Sequence, residues 1–304
     1  MPEWSQIAGE ATKESTFDIV RRRYLKALHE KTGRNVIAYY SGWLQKPALQ
    51  QQTGNAVDLG INDADKNSFM ATIHEMDRSK GLDLILHTPG GNMAATESLV
   101  EYLRAMFGRD IRAIIPQIAM SAGTMIACSC NEIIMGKHSS IGPIDPQMGG
   151  MPAHGILEEF EKAAEEIKKD QSRILVWQPI LQKINPTWLT ECEKATKWSE
   201  EMVLEWLASN MLMGKRNKTA KAKSIVKALS DTAQNKSHSR HIGMERATQI
   251  GLNIFELEKD QELQDLVLSV HHAYIVSLQS TAAYKITENQ LGRAFVQQVQ
   301  LRAG

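Results

Sequence analysis

A serine and a pair of glycines carry the chemistry that can be read in this sequence. Ser121 lies in "AMSAGTMIA" (119–127), just after the apolar run "IRAIIP" (111–116); Gly90 and Gly91 lie upstream in "HTPGGN" (87–92). A serine at a helix start has its hydroxyl near the positive end of the helix dipole, and the next N–H lacks an intrahelical partner. Paired glycines after a strand let backbone N–H groups approach a ligand with no Cβ in the way. The N–H groups of Gly91 and Ala122, with Gly90 in the same loop, are therefore candidates for an oxyanion hole while Ser121 attacks a carbonyl. Read singly, Gly90-Gly91 is a tight turn and Ser121 a small packing residue. Their shared strand–loop–helix setting favours a site.

The elements around them form a regular series. "FDIVRRRYLKALHEKTG" (17–33) has helical spacing, "NVIAYYSGWL" (35–44) reads as a strand, and "DKNSFMATIHEMDRSKG" (65–81) as a helix stopped by glycine. "LDLILHT" (82–88), "IRAIIP" and "EIIMG" (132–136) are apolar runs suited to strands buried on both faces. "NMAATESLVEYLRAMFG" (92–108), capped by Asn92, and "SAGTMIACSC" (121–130) are the helices between them. Such alternation implies βαβ units and a mostly parallel sheet, where sites form beyond the carboxyl ends of the strands.

From 156 to 232 the chain reads as helical, with Trp198, Met202 and Trp206 as a packing stripe. "GMERATQIGLNIFEL" (243–257) returns to helix, glycine stop and strand, and a long helix and a hairpin turning at Asn289–Gly292 end the chain. This divides the chain into a loose N-terminus (1–15), an α/β domain (16–258) with a helical insertion (156–232), and a C-terminal helix and hairpin (259–304). The last carries more apolar surface than an appendage needs and is expected to make oligomer contacts.

Bulk composition narrows the function classes. Lys plus Arg and Asp plus Glu both number 35, so net charge gives no global argument for nucleic acid or anionic membranes. Cys128 and Cys130 point apart in either helix or strand, and Cys192 is the third cysteine, which fits a reducing, cytoplasmic setting. Neither a signal-peptide pattern nor an apolar run of membrane-spanning length is expected from the sequence. The six basic residues of "KRNKTAKAKSIVK" (215–227) read as a solvated helix face, and "HH" (271–272) as packing. "HSRH" (238–241) lacks a third metal ligand, so neither a metal nor an organic cofactor is expected.

"LDLILHTPGGNMAATESLVEYL", "AIIPQIAMSAGTMIACSCNEIIMGKHSSIGPIDPQ" and "HSRHIGMERATQIGLNIFELE" resemble the serine dehydrogenase proteinase family. That family belongs to the Clp protease/crotonase-like superfamily and is related to signal peptide peptidase A and the stomatin-operon proteases. The resemblance covers about residues 35–155 and 236–258. It implies an α/β spiral of ββα units and a homo-oligomeric serine endopeptidase acting on exposed polypeptide segments, with Ser121 as nucleophile.

The base departs from the superfamily pattern. Clp proteases keep a histidine where this chain has Asp145, in "IDPQ", and an aspartate where it has Ser239, beside His238. Histidine and carboxylate have exchanged segments, which gives Ser121, His238 and Asp145 as the expected set. The signal peptide peptidases use a lysine near the start of the following helix; His154 holds that place and is the competing base. Three rivals remain: a crotonase-type acyl-CoA enzyme using the same oxyanion hole, an α/β-hydrolase, and a non-catalytic oligomeric polypeptide-binding scaffold. The hydrolase fits poorly, because the short stretch from Ser121 to Asp145 leaves little room for the intervening units.

Overall fold

The computed structural model describes residues 17–49, 57–185, 187–230 and 239–299. Its strands are β1 (Asn35–Ser41), β2 (Leu82–His87), β3 (Ile111–Ile115), β4 (Ile118–Ala119), β5 (Glu132–Met135), β6 (Ser140–Ile141), β7 (Gln147–Met148), β8 (Met151–Pro152), β9 (Ile242–Gly243), β10 (Ile254–Glu256), β11 (Ala283–Asn289) and β12 (Ala294–Gln298). The helices are α1 (Phe17–Thr32), α2 (Asp63–Ile73), α3 (Met93–Phe107), α4 (Ala122–Ser129), α5 (Ala153–Lys169), α6 (Ile174–Leu181), α7 (Thr187–Ser209), α8 (Lys218–Ser230), α9 (Met244–Gln249) and α10 (Gln261–Ser280).

A seven-stranded mixed sheet in the order β10-β5-β3-β2-β1-β11-β12 forms the centre. Its first five strands run parallel; β11 joins β1, and β12 joins β11, antiparallel. The apolar runs expected to be doubly covered are so. Leu84 and Leu86 of β2 enter one core cluster with α3 and α4, while Ile85 enters the other with α1 and α10. This two-residue alternation puts one hydrophobic core on each face of the sheet.

A chain of short pairings crosses the sheet's carboxyl end and generates the spiral. After β1 the chain pairs at Ile61 with Gly91, after β2 at Thr88 with Ala119, after β3 as β4 with β6, and β6 then pairs with β9. Each turn thus runs strand, short strand, helix, which is the ββα repeat that the resemblance implies. Gly91 and Ser121 lie on successive turns.

Two expectations change. The helix expected over 65–81 spans Asp63–Ile73, because Glu75 has a positive φ of 64° and a separate 3-10 turn follows at Arg78–Lys80. Asn62 and Asp65 form a capping box that fixes the earlier start. The apolar surface of the C-terminal helix is buried within the chain: Leu263, Val267, Val270 and Tyr274 of α10 join Leu25 and Leu28 of α1 in one core. That surface therefore gives no argument for an oligomer.

Beneath the end of β2 lies a buried histidine pair. His87 is 0% exposed, its ring centroid 4.4 Å from Trp43 and 5.3 Å from both Tyr40 and His271. Neither His87 nitrogen has a hydrogen-bond partner among the described residues. Burial pushes its pKa down to about 3. His271 is also held well below the ordinary histidine range, first by burial and then by His87. Both are neutral in the folded state, so below the unfolded pKa near 6.5 the unfolded chain takes up protons that the folded one refuses. The His87 contribution is full above that value and is lost as pH falls from about 6.5 towards 3, by roughly 1.4 kcal/mol per pH unit, and His271 acts in the same direction. Thermal midpoints should fall steeply between neutral and acid pH, and His87→Phe should make the slope shallower. An unchanged slope would mean that other groups cause the acid loss.

Candidate active site

Ser121 is held in a conformation that L-residues rarely adopt. Its φ is 48° and ψ −113°, at the N-cap of α4, and its hydroxyl makes no capping hydrogen bond. The strain follows from the path: Met120 N–H donates to Thr88 O (3.0 Å), and Gly123 N–H returns to Met120 O (2.8 Å). Thr124 Oγ1 also donates to Ala119 O at 3.0 Å. The chain must turn sharply from β4 into α4, and Ser121 is the corner. Strained corners of this kind cluster at functional sites.

Gly90 and Gly91 close against that corner. A Cβ on Gly90 would stand 2.7 Å from Ser121 Cβ, and one on Gly91 would run into the backbone of Ile61. Ile61 N–H donates to Gly90 O (2.7 Å) and Asn92 N–H to Ile61 O (2.8 Å), so the loop is fixed like a strand. Asn92 Oδ1 then caps α3 through Ala95 N–H at 3.0 Å. Gly90 N–H is engaged with Thr88 Oγ1 at 3.2 Å, so Gly90 supplies room rather than a donor. Neither Gly91 N–H nor Ala122 N–H has an acceptor among the described residues. Two N–H groups flanking a partly exposed serine at a helix start are preorganised for an oxyanion.

A cavity of about 420 Å³ opens at this corner, walled by Met93, Met125, Ile144, Met148 and Trp198 around Ser121 and Gly91. Trp198 departs from the packing-stripe reading. Met202 and Trp206 are buried, whereas Trp198 is 36% exposed and its Nε1 donates to Glu97 Oε1 at 3.3 Å. The insertion thus forms one side of the cavity.

The candidate base and orienter lie differently. Ile144 and Pro146 line the Ser121 cavity, but Asp145 between them lines a second one, of about 660 Å³, with His154, Thr196, Lys223 and Lys227. The segment between the cavities is pinned: Ser199 Oγ donates to Ile144 O (2.8 Å) and Ile144 N–H to Leu229 O (3.2 Å). Asp145 is buried. His154 is exposed on α5 and pairs with Glu158 at 3.2 Å. His238 lies outside the described residues. No described side chain hydrogen-bonds Ser121 Oγ. Ser121, Gly90, Gly91 and Ala122 are therefore brought together, and Asp145 and His154 both line the neighbouring cavity.

The chain is similar to other proteins over most of its length. A family model described as ClpP-like SDH-type serine proteinase matches residues 7–276. An uncharacterized protein of Methanocaldococcus jannaschii is 30% identical over 243 residues, 78% of this chain and 75% of its own length. A second uncharacterized protein of that organism is 31% identical over 190 residues, 62% of this chain and 59% of its own length. No solved structure matches the chain significantly.

Proposed function

Because the chain belongs to the ClpP-like SDH-type serine proteinase family, we propose that it is a serine endopeptidase acting on exposed polypeptide segments. The observation that carries this reading is Ser121 at a strained corner beside two N–H groups that have no acceptor among the described residues. Ser121 Oγ attacks the scissile carbonyl carbon, and Gly91 and Ala122 N–H hold the oxygen as it becomes an oxyanion. The hydroxyl proton passes to His238 and then to the leaving amine as the C–N bond breaks; Asp145, which lines the neighbouring cavity behind Ile144 and Pro146, is kept as the orienter of that imidazole and not as a contact of Ser121. Water attacks the acyl-enzyme by the same route in reverse roles. The methionine and tryptophan walls fit an apolar side chain beside the scissile bond. Assembly into a homo-oligomer belongs to the same reading, through surfaces other than the buried face of α10.

A fluorophosphonate probe tests it: the reagent should label the protein at Ser121, found by mass spectrometry of the digested adduct. Absence of labelling, with peptides bearing apolar residues left uncut, would overturn the reading. The base is tested separately. A histidine must be neutral to accept the proton, so turnover should rise through a pKa of roughly 6–7. His238→Ala should lower turnover by orders of magnitude and His154→Ala much less. Asp145→Asn should fall between them, since a misoriented imidazole leaves the oxyanion hole working. Near-normal turnover in His238→Ala beside a dead His154→Ala would move the base to α5.

A further inference from the structure

The insertion reaches the Ser121 cavity through one face of α7. Ala195 and Trp198 both line the cavity, and at this spacing they lie on the same side of the helix. From α3, Met93 lines it as well, and Glu97, one turn further on, accepts the Trp198 indole N–H at 3.3 Å. The residue beside Trp198 is also fixed. Ser199 Oγ donates at 2.8 Å to the carbonyl of Ile144, itself a wall residue. Trp198 is thus held through its neighbour to one wall of the cavity, and by its ring nitrogen to α3.

The other large apolar walls are of a different kind. Met93, Met125 and Met148 come from three separate elements, α3, α4 and β7. An unbranched thioether chain with three rotatable bonds gives way to a neighbour, so methionines re-pack around side chains of different shape. An indole is a rigid plane with two rotatable bonds. Among the described residues that line this cavity none is charged, so a charged side chain entering it meets no counter-ion.

We propose that Trp198 is the specificity-determining residue of the Ser121 site. It sets the depth open to the side chain beside the scissile bond, admitting leucine or methionine and excluding the fused ring of tryptophan. Glu97 is a positioning residue that holds the indole in the excluding pose. Size is read at the stiff wall: a large ring can push methionines aside, but it meets the pinned indole as overpacking. The inference rests on the serine-peptidase reading and adds to it a selecting residue supplied by the insertion.

The test uses the full chain and two fluorogenic peptides that differ only on the acyl side of the cleaved bond, leucine in one and tryptophan in the other. Differences of side-chain size in an apolar pocket discriminate by roughly 10–200-fold, so kcat/KM should favour the leucine peptide by about tenfold or more. Trp198→Ala should lower that ratio about tenfold or more, chiefly by faster cleavage of the tryptophan peptide. Trp198→Leu keeps the wall apolar but shortens it; it should move the ratio the same way and serves if the alanine variant does not fold. Glu97→Ala should relax the ratio in part. Glu97→Gln, whose amide oxygen still accepts the indole N–H, should restore it, whereas a merely structural role would lower both rates together. No leucine preference in the wild-type chain, or an unchanged ratio in the Trp198 variants while both peptides are cut, overturns the assignment and leaves the peptidase reading standing. A wild-type chain that cuts neither peptide and takes no fluorophosphonate at Ser121 removes the peptidase reading, and this assignment with it.

Discussion

Ser121→Ala is expected to abolish peptide hydrolysis and probe labelling while leaving the fold intact. Removing the nucleophile of a serine protease costs roughly 10⁶ in turnover, because the remaining groups have nothing to activate. The fold should survive for a local reason. The Ser121 hydroxyl caps nothing, so alanine forfeits no hydrogen bond, and both residues pay the same strain at a φ of 48°. Ser121→Gly sharpens the test, since glycine adopts that φ without a Cβ penalty. It should be equally inactive yet unfold at the same temperature or higher. Single-turnover hydrolysis and thermal unfolding of the three proteins measure both effects. Unchanged hydrolysis in purified Ser121→Ala would sink the serine-peptidase reading. A loss of stability in Ser121→Gly would show that the corner is held by more than backbone geometry.

The parts of the fold legible in the sequence are those with local signatures. Continuous apolar runs mark β2, β3 and β5, and asparagine marks the start of α3. Gly90-Gly91 and Ser121 stand out because a close backbone approach excludes larger residues, a constraint written into residue type. What the sequence hides depends on partners far along the chain. Trp198 shares a helical stripe with Met202 and Trp206, and nothing in the spacing says that one end of it reaches the Ser121 cavity. Asp145 is legible as a candidate, but its place behind the wall formed by Ile144 and Pro146 follows from how α7 and α8 pack. Lys285 is the sharpest case. A lysine in "AYKITEN" reads as the solvent side of a strand, yet it is 1% exposed. Its partner Asp65 is 220 residues away, and no local pattern announces that pairing.

Lys285→Met is accordingly expected to be the most damaging substitution remote from Ser121. The Lys285 ammonium lies 2.9 Å from Asp65 Oδ2, and both side chains are 1% exposed. Tyr39 OH and Asn62 N–H donate to the same oxygen, each at 2.9 Å, so three donors converge on it. Removing the ammonium leaves that charge buried and uncompensated, which costs about 3–5 kcal/mol. Lys285 also donates to Gly60 O, and the neighbouring Ile61 is the backbone strut paired with Gly90, Gly91 and Asn92. Methionine therefore frees the segment that holds the Gly91 N–H in place. Losing one oxyanion donor costs roughly 10²–10³ in turnover, which bounds the kinetic effect of such loosening. Lys285 acts through Gly60 and Ile61 and touches no substrate, so KM should change less than kcat. The double variant Asp65→Asn/Lys285→Met removes both charges and should recover much of the lost stability, since an uncharged pair carries no stranded ion. Urea unfolding together with kcat and KM for the single and double variants reads both effects. If Lys285→Met unfolds within about 1 kcal/mol of the wild-type chain, below the cost of stranding a buried charge, the pair does not hold the oxyanion loop.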